Sequence, residues 1–181
     1  MKSFPTLQTE RLVLRELRMT DAGAIFANLS DAKTMEYFGM DPLTRLEQVE
    51  PIIEKNLQTY AEDRGIRWAI TFREEDRLIG TIGYHHIDRA WFRSEIAYEL
   101  NRSLWGKGVM REALLAVLPY GFDQMNLNRI EGLVSPENVG SLRLLEKSGF
   151  TKEGVLKEYM YFGGRFHDAV VYALLKSEFE A

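Results

Sequence analysis

The sequence predicts an α+β fold in which helices flank one mixed, mostly antiparallel sheet. Two observations lead to this prediction. Strand-like stretches follow one another across short turns, and apolar residues at helical spacing interrupt them early and late in the chain. The resulting order, two strands and a helix repeated, with antiparallel hairpins, is typical of an α+β sandwich around a single sheet.

The first elements combine strand and helix patterns. Residues 11–18 alternate apolar and polar side chains, which predicts a strand. Thr20-Asp21 then caps a short helix that carries three apolar side chains. Residues 49–60 place apolar side chains at helical spacing, and Pro51 indicates that a helix begins or bends nearby.

The middle of the chain is dominated by strand patterns. These lie at residues 67–72, 78–86 and 94–100. A run of charged residues at 73–77 predicts a hairpin turn. The helix expected after Gly108 contains Pro119, which should bend or end it because proline removes one backbone hydrogen bond. The remaining patterns predict a strand, a helix and two closing strands, at residues 129–134, 142–149, 158–162 and 169–175.

Composition indicates one folded domain over residues 1–181, with 45% hydrophobic and 28% charged residues. A net charge of −4 and a pI near 5.5 argue against nucleic-acid binding and mildly favour cationic substrates. No apolar run approaches the roughly 18 residues of a membrane span and no signal peptide is visible, so we expect no membrane contact and a cytoplasmic location. The absence of cysteine excludes disulfides, a thiol nucleophile and a thiolate metal site.

The segment Trp105-Gly106-Lys107-Gly108-Val109-Met110 is a glycine-rich turn that leads into a helix. Its two glycines allow backbone angles that side chains disfavour, and they let a ligand approach the main chain. Free N–H groups and the positive end of a helix dipole bind phosphate. This loop is therefore predicted to hold a pyrophosphate.

A second segment places Asn138 and Ser141 three residues apart at the start of another helix. That helix ends before Gly149, a residue suited to a left-handed C-terminal cap. Asn138 is expected to cap the helix, to hold a ligand, or both. Ser141 is either a proton donor or a serine hydrogen-bonded within the first helical turn.

In their order and spacing, these segments resemble the GNAT-fold acetyltransferases, in the branch that includes the RimJ/RimL protein N-terminal acetyltransferases. The likeness continues in the opening strand at 9–15, the central strand at 95–98 and the closing segments at 163–168 and 172–175. It spans about residues 9 to 178 and so covers nearly the whole chain.

The resemblance implies a GNAT fold, acetyl-CoA as cosubstrate and no metal. In the family the glycine-rich loop binds the pyrophosphate, and the Asn-x-x-Ser segment lies beside the pantetheine and the sulfur. The implied cofactor-binding residues are Trp105, Gly106, Lys107, Gly108, Val109, Met110, Asn138 and Ser141.

Three positions depart from the family pattern. Trp105 and Met110 stand at the two ends of the loop, and the bulk of Met110 is expected to crowd the approach to the pyrophosphate. Leu145 stands where many GNAT enzymes carry a tyrosine proposed as the general acid. Ser141 therefore becomes the candidate that protonates the leaving thiolate, directly or through water.

Acetyl transfer to an amine also needs a group that accepts the amine proton. Glu95, Glu99 and Glu131 lie on the predicted central strands, and we take Glu95 as the candidate base. Strand alternation places Glu95 and Glu99 on one face and Tyr98 on the other. The alternative for each glutamate is a solvated or salt-bridged carboxylate.

The pair His85-His86 raises the question of a metal site. Adjacent strand residues point to opposite faces, so the two imidazoles are not expected to ligate one ion. We therefore predict no metal, and assign the pair a structural role or a place at the substrate rim. The sequence also shows no histidine–carboxylate pair that would serve as a strong base.

The function predicted is acetyl-CoA-dependent N-acetylation of a primary amine by direct attack in a ternary complex. The preferred prediction for the acceptor is a protein or peptide N-terminus, and the alternative is a small molecule such as a polyamine, an amino acid or an antibiotic. A non-catalytic acyl-CoA-binding module is the rival from another class. A homodimer is compatible with the resemblance. A nucleotide-binding P-loop is excluded, because its Gly-x-x-x-x-Gly-Lys-Ser/Thr run is missing.

Overall fold

A computed structural model describes residues 3–179 of the protein. Within that range eight strands form one sheet, in the order β1-β2-β3-β4-β5-β6-β8-β7. Every neighbouring pair is antiparallel except β5 and β6, which run in parallel. The predicted α+β class with a mixed, mostly antiparallel sheet is confirmed.

The strands are β1 Leu7–Gln8, β2 Leu12–Glu16, β3 Ile66–Phe72, β4 Glu75–Asp88, β5 Arg93–Leu100, β6 Arg129–Val134, β7 Thr151–Phe162 and β8 Arg165–Leu175. The helices are α1 Ala22–Leu29, α2 Ala32–Met35, α3 Val49–Ala61, α4 Val109–Pro119, α5 Val139–Lys147 and α6 Lys176–Phe179. No helix in the described residues is long and apolar enough to cross a membrane.

The sheet separates two apolar cores because successive side chains of each strand point to opposite faces. On one face Trp68, Ile82 and Ile96 pack with residues of α4 and α5. On the other face Ala69 and Leu78 pack with α1 and α3. Burying apolar side chains on both faces fixes the strand register, since a slip of one residue would turn each set toward the wrong layer.

Helix α4 shows how one proline ends a helix. The α-helix stops at Pro119, and a five-residue π-helical turn, Tyr120–Gln124, follows it. Proline lacks the N–H that would continue the i→i−4 pattern. The predicted effect of Pro119 is confirmed.

Strands β5 and β6 part from each other soon after they begin to pair. Their register consists of three pairs, and the last joins Glu95 to Glu131. Beyond it β5 stays paired with β4 as far as Leu100, and β6 stays paired with β8 as far as Val134. A gap, called here the wedge, therefore opens between the two central strands past Glu95 and Glu131.

Strand β4 is irregular where it approaches its end. The register with β5 shifts between His85 and Asp88, and His86 has a positive φ of 49°. Bulges of this kind redirect side chains and are frequent beside functional sites. This bulge changes which way His86 points, with consequences for the site described next.

Candidate active site

The glycine-rich loop joins β5 to α4 and has the backbone that its glycines predict. Gly106 and Gly108 have φ values of 73° and 75°, and Gly108 is the N-cap of α4. No side chain caps this helix, so the N–H groups of its first turn remain available to a ligand. Together with the helix dipole they form a site suited to phosphate.

The side chains of the loop divide between surface and core. The Trp105 indole N–H donates to the Leu100 carbonyl at 2.9 Å, which ties the loop back to β5. Lys107 is exposed, whereas Val109 and Met110 are buried. Met110 is only 8% exposed and lies in the core beneath α4. The expectation that its bulk crowds the pyrophosphate is wrong, because its side chain points away from the loop surface.

Arg11 adds a positive charge beside the loop. Its Nε lies 2.6 Å from Oε2 of Glu112 on α4, and its Nη1 donates to the Lys107 carbonyl at 3.3 Å. Its Nη2 lies 3.7 Å from the position that a Cβ on Gly108 would occupy. The sequence reasoning missed this residue because nearly one hundred positions separate it from the loop.

The second segment brings a cap and a hydroxyl to the start of α5. Oδ1 of Asn138 accepts a hydrogen bond from the Ser141 N–H at 3.1 Å, so Asn138 is the N-cap of the helix. The capping role predicted for Asn138 is confirmed. Gly149, with φ of 92°, lies just past the end of α5, as predicted.

The Ser141 hydroxyl lies 2.6 Å from the hydroxyl of Tyr98 on β5, and the two share a hydrogen bond. Burial raises the pKa of Tyr98 to about 12, so its phenol stays neutral and able to donate a proton at physiological pH. Leu145 is fully buried and packs against Gly132, where it offers no proton. Tyr98 thus supplies a second hydroxyl that the sequence reasoning did not assign.

On the other face of β5, Glu95 contacts both histidines of β4. Its Oε2 lies 3.6 Å from Nε2 of His85, and its Oε1 lies 3.2 Å from Nδ1 of His86. The expectation that the imidazoles point to opposite faces is wrong, because the positive φ of His86 breaks strand alternation. Glu95 is therefore in contact with two histidines, which the sequence did not predict; the expectation that no such pair acts as a strong base stays a prediction.

His85 and Glu95 differ in how much solvent reaches them. Burial lowers the pKa of His85 to about 4, which keeps its imidazole neutral at physiological pH. The Glu95 side chain is 19% exposed, so a ligand can still reach its carboxylate. Glu95 therefore has the access that a proton acceptor requires.

The other two candidate glutamates are engaged in ion pairs. Glu99 is buried, lies 3.0 Å from Arg67 and accepts a hydrogen bond from Thr81. Burial raises the pKa of Glu99. Glu131 lies between Arg129 at 2.7 Å and Arg93 at 3.4 Å. Glu99 and Glu131 therefore fit the alternative to a base, which is a salt-bridged carboxylate.

The candidate proton acceptor and the candidate proton donors lie on opposite faces of β5 beside the wedge. We call the face with Glu95 and Glu99 the carboxylate face, and the face with Tyr98, which meets Ser141 of α5, the hydroxyl face. Glu95 is the last residue of β5 that pairs with β6. A ligand extending from the glycine-rich loop into the wedge would thus have a carboxylate on one side and hydroxyls on the other.

A cavity of about 300 Å³ lies next to the start of α5, between α2 and the β7–β8 hairpin. Its lining includes the acidic residues Glu36, Asp41 and Glu137 and the basic or titratable residues Arg165 and His167. Glu137 directly precedes the cap residue Asn138. The cavity is therefore close to the Asn138–Ser141 segment and bears carboxylates that attract cations.

A family model described as the acetyltransferase (GNAT) domain matches residues 11–151. The chain belongs to the GNAT family. The uncharacterised N-acetyltransferase YoaA of Bacillus subtilis (strain 168) is 42% identical to it over 173 residues, which cover 96% of this chain and 98% of that protein. The chain is thus a GNAT-family N-acetyltransferase, and the family uses acetyl-CoA.

Two solved GNAT structures with CoA compounds have the same fold. Mycobacterium smegmatis RimJ in complex with CoA-disulfide gives a TM-score of 0.87 at 25% identity, over 99% of this chain and 90% of that one. Spermidine N-acetyltransferase from Vibrio cholerae in complex with CoA and spermine gives 0.83 at 25% identity, over 96% and 100%.

Proposed function

We propose that the chain acetylates the α-amine of a protein or peptide N-terminus by direct attack in a ternary complex with acetyl-CoA. The observation that carries the proposal is the arrangement around β5. Glu95 on the carboxylate face and the Ser141–Tyr98 pair on the hydroxyl face border the same wedge. Acyl transfer to an amine needs a proton acceptor and a proton donor that do not neutralise each other.

Each group has one role in this mechanism. The amine nitrogen forms a bond to the acetyl carbon while the carbon–sulfur bond breaks. Glu95 accepts the proton that the amine loses, directly or through water, and Ser141 gives a proton to the departing sulfur. Tyr98 orients the Ser141 hydroxyl at 2.6 Å and can return a proton to it. Bound acetyl-CoA supplies the activated acetyl group.

The loop and helix α4 contribute binding and position. The first-turn N–H groups of α4 and the guanidinium of Arg11 neutralise the pyrophosphate, and the glycines let it approach. Direct transfer is supported by composition, since the chain has no cysteine to carry the acetyl group between two half-reactions.

An α-amine suits this site because of its basicity. With a pKa of about 8, roughly a tenth of it is already neutral at pH 7, whereas a lysine amine near 10.4 would cost about 3 kcal/mol more to deprotonate. A single accessible carboxylate can therefore deprotonate an α-amine more readily than a lysine amine. The likeness to RimJ supports the RimJ/RimL-like branch.

A polyamine is the second candidate acceptor. Three carboxylates, from Glu36, Asp41 and Glu137, line the cavity beside α5, and Glu36 among them is paired with Lys33. Several carboxylates at one cavity suit an acceptor that carries more than one positive charge. The likeness to a spermidine N-acetyltransferase agrees with this candidate.

The test is mass-spectrometric detection of acetylated product after incubation with acetyl-CoA and a mixed panel. The panel holds peptides with free Ala, Ser and Met N-termini, polyamines, free amino acids and aminoglycosides. Acetylated peptide with unmodified polyamine is the expected result. Acetylation of polyamine alone would favour the second candidate. CoA binding without any product would contradict both and favour the non-catalytic binding module.

A further inference from the structure

His85, His86 and Glu95 form a cluster that the proposed mechanism uses only through its carboxylate. Each of the three side chains offers one ligand atom, and those three atoms lie within 4.8 Å of one another. They come from two adjacent strands, with His85 directly opposite Glu95 in the register of β4 and β5. The cluster is therefore held by the sheet rather than by a loop.

The bulge in β4 is what brings the third side chain into the cluster. In a regular strand His86 would point away from His85, but its φ of 49° turns it to the same side, and the two rings lie 4.4 Å apart. A positive φ is uncommon for residues other than glycine and costs an L-residue free energy. Strained residues of this kind occur where the backbone must redirect a side chain, and they are frequent beside functional sites.

The spacing of the ligand atoms is close to that around a tetrahedral ion. Ligand atoms about 2.0–2.1 Å from a tetrahedral zinc ion lie about 3.3 Å from each other. The two imidazoles approach different oxygens of the Glu95 carboxylate, Nε2 of His85 at 3.6 Å from Oε2 and Nδ1 of His86 at 3.2 Å from Oε1. The His86 side chain is 72% exposed, so its ring is free to rotate toward an ion without movement of the backbone.

The contacts in the cluster leave polar atoms without full partners. At 3.6 Å, Nε2 of His85 and Oε2 of Glu95 are too far apart for a hydrogen bond. Nδ1 of His85 is buried without a hydrogen-bond partner among residues 3–179. In the same range the ion-pair partners of Glu95 are the two histidines alone. A cation between Nε2 of His85, Nδ1 of His86 and the Glu95 carboxylate would give these three groups a common partner, although it would not reach the buried Nδ1 of His85.

The donor set selects the class of ion. Two imidazoles and one carboxylate suit zinc and neighbouring divalent transition metals, whereas magnesium and calcium prefer oxygen ligands. Three protein ligands leave a fourth position open, and the exposure of His86 gives solvent access to it.

We propose that His85, His86 and Glu95 form a binding site for one zinc-class divalent ion, and that the bound ion inhibits acetyl transfer. Inhibition follows because a carboxylate that ligates metal cannot accept the amine proton. The inhibitory part rests on the role proposed above for Glu95, whereas the binding part does not.

The experiment titrates the full-length protein, freed of metal by chelator, with zinc chloride against a chromogenic zinc indicator. One zinc per chain is expected. His86→Asn should weaken the affinity about 100-fold or more, because asparagine tolerates a positive φ but is a poor zinc ligand. Glu95→Gln should do the same. His167→Asn alters the one histidine outside the cluster and should bind like the parent protein.

Cobalt(II) provides a second readout, since a tetrahedral cobalt ion absorbs strongly in the visible range. That absorption should appear with the parent and with His167→Asn and be absent with His86→Asn. Unchanged zinc affinity in His86→Asn, or an equal loss in His167→Asn, would overturn the site. Stoichiometric zinc with an undiminished acetylation rate would overturn the inhibition. Because the titration needs no amine acceptor, its result does not depend on the proposed reaction.

Discussion

The two faces of β5 carry opposite chemistry at residues only three positions apart along the strand. The hydroxyl face presents Tyr98 to Ser141, in a neutral pair enclosed by helix packing. The carboxylate face presents Glu95 to two imidazoles and to solvent. Strand alternation keeps the groups apart, so that a proton acceptor and a proton donor can serve one ligand without bonding to each other.

A second contrast lies within the carboxylate face. Glu99 is paired with Arg67 and buried, with its side chain 3% exposed, whereas the Glu95 side chain is 19% exposed and has no Arg or Lys ion-pair partner in the described range. The two residues share a strand and a face, yet only one can receive a proton from a ligand. Neighbouring residues decide which glutamate is available.

The largest effect is expected from Glu95→Gln. Loss of a general base lowers rates by about 100-fold or more, so kcat/KM at pH 7 should fall by about that factor. The deficit should shrink as the pH rises toward the α-amine pKa of about 8, because more acceptor is then neutral. Steady-state rates across pH measure this.

Glu131→Gln is the matched control for that variant. Glu131 pairs with Glu95 in the sheet register but is held by Arg93 and Arg129. Its substitution should change kcat/KM by less than about 5-fold, an effect on local packing only. A loss in Glu131→Gln as large as that in Glu95→Gln would erase the distinction between the two glutamates.

The hydroxyl face should show a smaller effect. Ser141→Ala and Tyr98→Phe should each lower kcat by about 10- to 100-fold, and the double variant should be little worse than either, because the two hydroxyls act as one unit. With the Tyr98 pKa raised to about 12, its protonated, donating form persists at alkaline pH, so the parent rate should not decline near pH 9 through loss of this donor. If the kcat losses of the two single variants multiplied in the double variant, the two hydroxyls would act independently.

The glycine-rich loop should respond through binding rather than chemistry. Gly108 has a φ of 75°, a conformation that costs an alanine about 1–2 kcal/mol. In Gly108→Ala the free loop should relax to avoid this cost, so CoA binding must restore the strained conformation and should weaken about 10-fold in calorimetry. Gly23→Ala in α1, where no atom lies within 4 Å of the added Cβ, should leave CoA affinity unchanged. Equal CoA affinities in the two variants would show that the glycine-rich loop does not bind CoA.

The smallest effect is expected from Met110→Leu. The side chain is buried in the core, and a swap of similar volume costs less than about 1.5 kcal/mol of stability. CoA affinity should change by less than about 2-fold. Tighter CoA binding by Met110→Ala would show instead that the methionine crowds the ligand.

Much of the fold could be predicted from local patterns. The strands around residues 67–72, 94–100 and 129–134 and the helix end at Gly149 follow from alternation and from backbone preferences, and both act over a few residues. The glycine-rich loop was predictable because glycine adopts a positive φ more readily than other residue types, and both Gly106 and Gly108 have one.

The site was predictable only in part. Ser141 and Glu95 could be selected by residue type and position, but their partners could not. Tyr98 is 43 positions from Ser141, and Arg11 is 101 positions from Glu112. No local pattern reports contacts of that range, because packing of separate elements creates them.

The sequence by itself determined the fold class, the GNAT resemblance, the phosphate-binding turn and the two segments that carry candidate chemistry. It did so because propensities, caps and glycine angles depend on neighbouring residues. Only the tertiary structure decided which glutamate is accessible, which hydroxyl accompanies Ser141 and where His86 points. The bulge in β4 is held by the sheet around it, so the rule of strand alternation failed at a place where the sheet departs from regular geometry.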